Sequence, residues 1–187
     1  MRKVLFMFGD FSDSDIEWLV AAGERKNFPQ GSVLIRQGEP IEEIYILLDG
    51  QLSVQVSSPV DSVTINTLQK GEIVGELSFL DSRPPTATVM AATDAIVLAI
   101  ARNKLRSKLE RDSAFAAKFY RALGVFLADR LRQTTGRLGY DNSRSLRPED
   151  DATDEIDAER LESVAIAAKR FELLLEQLES ARTRAKV

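Results

Sequence analysis

The sequence predicts a mainly β fold with flanking helices, an antiparallel β-roll or jelly roll, and three observations carry that reading. First, short β-branched or alternating runs recur between turn signals: Val33-Leu34-Ile35, Ile44 to Leu48, Leu52 with Val54 and Val56, Val63 with Ile65, Thr88 to Ala91, and Ala95 to Ile100. Strands this short, at this spacing, suit a sandwich or a barrel. Second, from Arg102 the apolar period changes from two to three or four, the pattern of amphipathic helices. Third, the stretch Gly71 to Ala91, GEIVGELSFLDSRPPTATVMA, breaks the strands with a Gly-Glu loop, a short apolar turn and an Arg-Pro-Pro corner. A segment of that kind is built to hold something small.

Taken in order, Ser12-Asp13-Ser14-Asp15 supplies N-caps for a helix over about residues 13 to 25, with Ile16, Trp18, Leu19 and Ala22 at helical spacing. Phe28-Pro29-Gln30-Gly31 is turn chemistry ahead of Val33-Leu34-Ile35, and Gly38-Glu39-Pro40 makes the next turn. Ile44 to Leu48 is too short an apolar run for a helix. The Asp49-Gly50 pair that follows predicts a tight hairpin into Leu52, Val54 and Val56. Val63, Ile65 and Leu68 lead to a turn at Lys70-Gly71, and Thr88 to Ala91 with Ala95 to Ile100 complete the strands.

Leu105, Leu109, Phe115, Phe119, Ala122 and Phe126, with Leu123, Leu127 and Leu131 on an adjoining row, predict a long helical region broken near Asp112-Ser113. Its apolar stripe is wide enough to cover the barrel on one side and a partner on the other, so the reading is a homodimer through residues 113–138. Residues 139–154 are polar and acidic without periodicity, which reads as a linker. Beyond it, Leu161, Val164, Ala168, Phe171, Leu175 and Leu178 alternate steps of three and four. That seam predicts a helix over 155–187, either a coiled coil or an amphipathic helix docked on its own domain, and offers a contact for a protein partner. The organisation is therefore 1–138 for the β-roll and its helices, 139–154 for the linker and 155–187 for the terminal helix.

Composition narrows the chemistry. With neither cysteine nor histidine among 187 residues, disulfides, zinc sites with Cys or His ligands, histidine-ligated haem and Ser-His or Cys-His catalysis are excluded. No arrangement of base, nucleophile and oxyanion donors emerges, so the chain reads as a non-enzyme. The formal charge of -4, from 25 basic and 29 acidic residues, argues against a nucleic-acid surface as the main function. The N-terminal MRKVLFMFGDF has an apolar run that Gly9-Asp10 interrupts too soon for a signal peptide or a membrane span, and the reading is a soluble cytoplasmic protein.

Three linked motifs give the chain a resemblance. Phe28-Pro29-x-Gly31-x-Val33-Leu34-Ile35-x-Gln37-Gly38-Glu39, then Tyr45-Ile46-Leu47-x-x-Gly50-x-Leu52-x-Val54, then Gly75-Glu76-Leu77-Ser78-Phe79-Leu80 followed by Pro84 and Ala87-Thr88-Val89 together resemble the cyclic nucleotide-binding domain, over about residues 10 to 135. The third motif looks like that family's phosphate-binding cassette. The resemblance implies a ligand held by Gly75, Glu76, Leu77, Ser78, Arg83, Thr86, Ala87 and Thr88: cyclic AMP, cyclic GMP or another signalling nucleotide. Physically, a short helix starting near Gly75-Glu76 points backbone N–H groups at an anion. Glu76 can accept from a ribose hydroxyl, and Thr88 and the Ala87 N–H can donate. The family places an arginine directly after the cassette proline, and here that position is Pro85. Losing the charge-assisted phosphate contact costs roughly 1.5–3 kcal/mol, or about one to two decades of affinity, and proline also removes an N–H. The pocket is therefore either retuned or vacant.

Each of these residues also has a plainer reading. Glu76 serves equally as a solvated cap of a helix start, Arg83 as a solvated charge at a loop tip, and Thr86 and Thr88 as strand residues. Arg130, Arg132, Arg137, Arg144 and Arg147 read as an exposed basic helix face, and Glu149-Asp150-Asp151 with Asp154 and Glu155 as solvated linker. Two functions follow. One is a regulatory sensor that binds a nucleotide signal and passes it on through its C-terminal helices; the other is a ligand-free β-roll scaffold for protein contacts. Transcription regulation ranks below both, because the resemblance would then call for a helix-turn-helix after the long helix and residues 139–187 read as a linker and one helix.

Overall fold

In the computed structural model, which describes residues 9–57, 61–142, 166, 169–178 and 180, the alternating runs pair into two four-stranded antiparallel sheets. Helix α1 (Asp13–Ala22) leads into β1 (Gly23–Phe28), β2 (Val33–Ile35), β3 (Glu43–Asp49), β4 (Leu52–Ser57), β5 (Ser62–Leu68) and β6 (Ile73–Val74). The cassette helix α2 (Glu76–Asp81), strands β7 (Thr88–Ala91) and β8 (Ala95–Ala101), and helices α3 (Arg102–Arg111) and α4 (Ser113–Asn142) follow. One sheet runs β1-β8-β3-β6 and the other β2-β7-β4-β5. Residues 169–178 form a further helix, α5. This is the β-roll with flanking helices that the strand spacing predicts. Among the described residues no helix is long and apolar enough to cross a membrane.

Two local expectations change. The first helix stops at Ala22, and residues 23–28 become an edge strand in full register with β8, from Gly23 opposite Ile100 to Phe28 opposite Ala95. Pairing with that apolar strand outweighs the helical leaning of Glu24, Arg25 and Lys26, as tertiary context commonly does. The second change is at Asp49-Gly50, which does not close a hairpin. Strand β3 pairs with β6 and β8, whereas β4 pairs with β5 and β7, so this turn carries the chain from one sheet to the other. Gly50 sits at φ +83°, where a Cβ would lie 2.2 Å from the Asp94 carbonyl oxygen. Gln51 N–H donates to Thr93 Oγ1 at 3.0 Å and Ala92 N–H to the Gln51 carbonyl at 2.9 Å. Two crossing turns are thereby fastened side by side.

The core forms on both faces of the β3–β8 ladder. Tyr45, Leu47, Val97 and Ala99 point between the sheets, whereas Ile44, Ile46, Leu48, Leu98 and Ile100 point towards the helices. A strand buried on both sides reads as a continuous apolar run, which is why Ile44 to Leu48 lacks alternation. On the helical side an aromatic stack runs from Phe11 to Phe115 (5.4 Å between centroids), Phe119 (6.1 Å) and Phe79 of the cassette helix (6.1 Å, edge-on). Ser12 and Asp15 form a reciprocal capping box at the start of α1, and Lys118 of α4 donates to Asp15 Oδ2 at 2.8 Å. Burial pushes the Asp15 carboxyl up, but the bonds from Lys118 and Ser12 outweigh it and hold the group below its ordinary range.

Helix α4 continues to Asn142, past residue 139 where the linker is expected to begin. Residues 143–165, including Arg144, Arg147 and the acidic stretch from Glu149 to Glu155, lie outside the described residues, as do Leu161, Val164 and Ala168. Of the two arrangements open to the terminal helix, residues 169–178 adopt the docked one. Phe171, Leu174 and Leu178 are buried in the same apolar cluster as Phe79, Phe115 and Phe119. Leu175 packs at the margin, while Glu172 and Glu176 face outward.

Candidate functional site

The cassette begins where β6 ends. Gly75 caps α2 at φ +89°, and a Cβ there would stand 2.9 Å from Ile41 Cδ1 and 3.2 Å from the Glu43 carbonyl oxygen, so only glycine lets the backbone turn this close to the β2–β3 segment. Glu76 follows directly, and its side chain is only 3% exposed. Its partner is not a surface group. Arg130, from the middle of α4, donates through Nη1 to Glu76 Oε1 and through Nη2 to the Ile73 carbonyl at 2.8 Å. The same Nη2 lies 3.9 Å from Glu72 Oε2, and the guanidinium carbon stands 4.2 Å from the centre of the Phe126 ring. Burial pushes the Glu76 carboxyl above its ordinary range. The Arg130 charge and the backbone N–H groups of Glu76 and Gly75 pull against that shift, and the nearby Glu72 adds to it.

Arg102, the first residue of α3, braces the cassette from behind. It donates through Nη2 to the Ser78 carbonyl at 2.6 Å and through Nη1 to the Ile41 carbonyl at 2.8 Å. Ser78 is buried, whereas Leu77 and Leu80 on the outer face of α2 are 51% and 44% exposed. The other limb of the cassette is closed by the segment before β3. Gly38 N–H donates to the Pro85 carbonyl at 2.8 Å, and Gln37 N–H donates to Thr88 Oγ1 at 3.1 Å. Thr86 is exposed and Ala87 half-buried in the bend just before β7.

The structure thus gathers Gly75, Glu76 and Ser78 at one limb and Pro85, Ala87 and Thr88 at the other, and leaves Arg83 out. The Arg83 side chain is 83% exposed at the loop tip, 3.9 Å from Asp81. Its plain reading as a solvated charge is the one observed. Glu76 reverses its plain reading, since it is buried and paired. The reading of Arg130 as part of an exposed basic face is overturned, while Arg132 is exposed as that reading has it. A signal for Arg130 was present: it follows Leu123 by seven residues and Phe126 by four, which places it on the apolar stripe of its helix.

Two cavities lie beside the cassette. A 260 Å³ cleft between β2 and β3 is lined by Arg36, Glu39, Glu42, Glu43 and Tyr45 among apolar neighbours. Burial, then the adjacent Glu43 carboxylate, push the Tyr45 phenol up to about 12. A larger groove of 930 Å³ runs between α1 and the α3–α4 junction, past Trp18, Lys104 and Lys108. Among the described residues no group of three or more acidic side chains is placed to hold a metal ion.

The family model of the cyclic nucleotide-binding domain matches residues 25–112, from β1 to the end of α3. The chain carries a cyclic nucleotide-binding domain. Its relatives include the CRP-like cAMP-activated global transcriptional regulator of Mycobacterium tuberculosis, 27% identical over 113 residues that cover 60% of this chain and 49% of the relative. A cyclic nucleotide-binding domain from Methylobacillus flagellatus shares the fold at a TM-score of 0.68 and 22% identity, covering 78% of this chain and 85% of that one. The N-terminal domain of a transcriptional regulator from Streptomyces coelicolor aligns at a TM-score of 0.57 and 26% identity, over 80% of this chain and 99% of that domain. The chain spans about half the length of the curated relatives it matches. Within the matched segment, Pro85 stands where the sequence resemblance implies an arginine, and the carboxylate of Glu76 is held by a residue of α4, beyond that segment.

Proposed function

We propose that the chain is a regulatory sensor module in which a nucleotide at the cassette competes with Arg130 for Glu76, so that binding unlatches α4. The single observation behind this reading is the Glu76–Arg130 contact. A carboxylate only 3% exposed can meet a ribose hydroxyl only after its guanidinium cover moves, and that cover belongs to the long helix. Ligand binding and helix position then become two sides of one equilibrium, displaced by the difference in affinity between the latched and open forms. The name of the Mycobacterium tuberculosis relative supports cyclic AMP as the first nucleotide to test. Pro85 in place of the phosphate-binding arginine implies weak binding of an ordinary cyclic mononucleotide, or a preference for a different signalling nucleotide. The output passes through the helices, either to a second copy across residues 113–138 or to a protein partner.

One observation favours a second reading, a ligand-free scaffold: Gln37 and Gly38 already satisfy Thr88 Oγ1 and the Pro85 carbonyl. A thermal-shift screen against cyclic AMP, cyclic GMP and cyclic dinucleotides, with calorimetry on any hit, separates the two. At a hundredfold excess over the dissociation constant, binding adds about 2.7 kcal/mol, a shift of a few degrees for a chain of this size. The sensor reading expects a hit that Glu76→Ala abolishes. Silence across the panel at millimolar ligand would establish the scaffold in its place.

A further inference from the structure

We propose that α5 is a detachable output helix, seated in a groove built to receive an amphipathic helix, and that occupancy of this seat is linked to the Glu76–Arg130 latch. The seat stands on its own observations; the linkage rests on the sensor reading above.

Helix α5 presents a narrow stripe. Phe171, Leu174 and Leu178, at positions i, i+3 and i+7, are 6%, 0% and 7% exposed, the spacing by which a helix lies in an apolar groove. Polar contacts anchor its entry end. Arg170 donates to the Gly9 carbonyl at 2.7 Å and reaches Asp13 Oδ1 at 3.4 Å, while Lys70 stands 5.4 Å from the centre of the Phe171 ring. The Arg170–Asp13 pair is water-accessible, with the Asp13 side chain 76% exposed. None of these contacts belongs to a sheet ladder, and residues 143–168 separate α4 from α5 in the sequence. A helix held by side-chain contacts, an apolar stripe and the bonds of one half-buried arginine, separates more readily than one woven into the sheets.

The seat shares its walls with the latch. Lys70 immediately precedes Gly71-Glu72-Ile73, and Glu72 and the Ile73 carbonyl are two of the groups that Arg130 meets. Phe79 of the cassette helix and Phe119 of α4 lie in the same apolar cluster as Phe171, Leu174 and Leu178. Moving α4 away from the cassette therefore changes the surface on which α5 rests. By reciprocity, seating α5 must favour the latched cassette to the same degree. The occupant is the chain's own α5, and the vacated groove accepts an apolar, Phe-x-x-Leu-x-x-x-Leu helix.

The test starts from the folded full-length chain. A protease site is placed between residues 142 and 166, the protein is cut after folding, and retention of the α5 fragment is followed on dilution, with a synthetic peptide of residues 166–180 added back. The expected result is reversible, micromolar retention that the peptide restores and a Leu174→Asp peptide does not. In Arg130→Gln the fragment leaves at least about tenfold more readily. Glu76→Gln, which opens the latch from the other side with an isosteric neutral group, does the same and serves if the arginine variant folds poorly. A fragment that stays bound until global unfolding, or a body that aggregates once it is lost, would overturn the seat. Equal fragment affinity in the parent and both latch variants would overturn the linkage. No nucleotide enters the experiment, so a silent ligand screen leaves its outcome unaffected.

Discussion

Arg130→Ala is expected to destabilise the folded chain by about 3–5 kcal/mol at pH 8, and by clearly less at pH 5. Removing the guanidinium leaves Glu76, 2% exposed, without the charge that balances it. Burial already raises the Glu76 carboxyl above its ordinary value while Arg130 pulls it down; without Arg130 it rises further. A carboxyl whose folded value lies above its unfolded one holds its proton more tightly in the native state. Its contribution is then fully present below the unfolded value and is lost as pH rises through the folded one. Urea titrations at pH 5 and pH 8 read this directly. A loss below about 1 kcal/mol, the range of an exposed pair, or a loss equal at both pH values would show that the latch is a surface contact.

Phe119→Ala should cost a similar amount, about 3–5 kcal/mol. The ring is 4% exposed and lies between Phe115, stacked at 6.1 Å, and Phe79, edge-on at 6.1 Å. Truncation leaves a cavity between the two rings, and forfeits three aromatic contacts, the third an edge-on one to Tyr120 at 5.8 Å, worth about 0.5–1.5 kcal/mol each beyond their buried area. Because Phe79 belongs to α2 and Phe119 to α4, the variant should also loosen the cassette. Hydrogen exchange over residues 76–81 should accelerate more than over β3 and β8. Phe119→Leu, which keeps most of the volume, should recover more than half the stability. Uniform acceleration across both sheets would mean that the ring supports the core in general and not the cassette.

The fold was legible where one physical cause dominated. Turn residues and short apolar or alternating runs placed β2 to β5, β7 and β8, and the change of period at Arg102 announced α3 and α4; the two-residue β6, inside the Gly71 to Ala91 stretch, went unread. Reading failed where pairing overruled local signals. Gly23 to Phe28 is polar enough to pass for the tail of a helix, yet its backbone completes the edge of a sheet along β8. Asp49-Gly50 has hairpin chemistry, but a glycine at positive φ serves equally in a crossing between sheets, and no local feature distinguishes the two. At the site, Gly75 and Glu76 could be read from their motif, and so could the missing arginine at Pro85. The partner of Glu76 could not, because Arg130 lies 54 residues downstream and only the packing of α4 brings it back. Its place on the apolar stripe distinguishes it from Arg132, two residues on.

The measurement that bears most directly on this account is calorimetric titration of cyclic AMP and cyclic GMP into the parent chain and Arg130→Gln, side by side at pH 7. If Arg130 occupies the place a ribose hydroxyl must take, the parent pays for opening the latch in its apparent affinity. The variant should then bind at least about tenfold more tightly, equivalent to roughly 1.4 kcal/mol. Equal affinities would contradict competition for Glu76, and the absence of heat from both proteins at millimolar nucleotide would contradict the sensor itself.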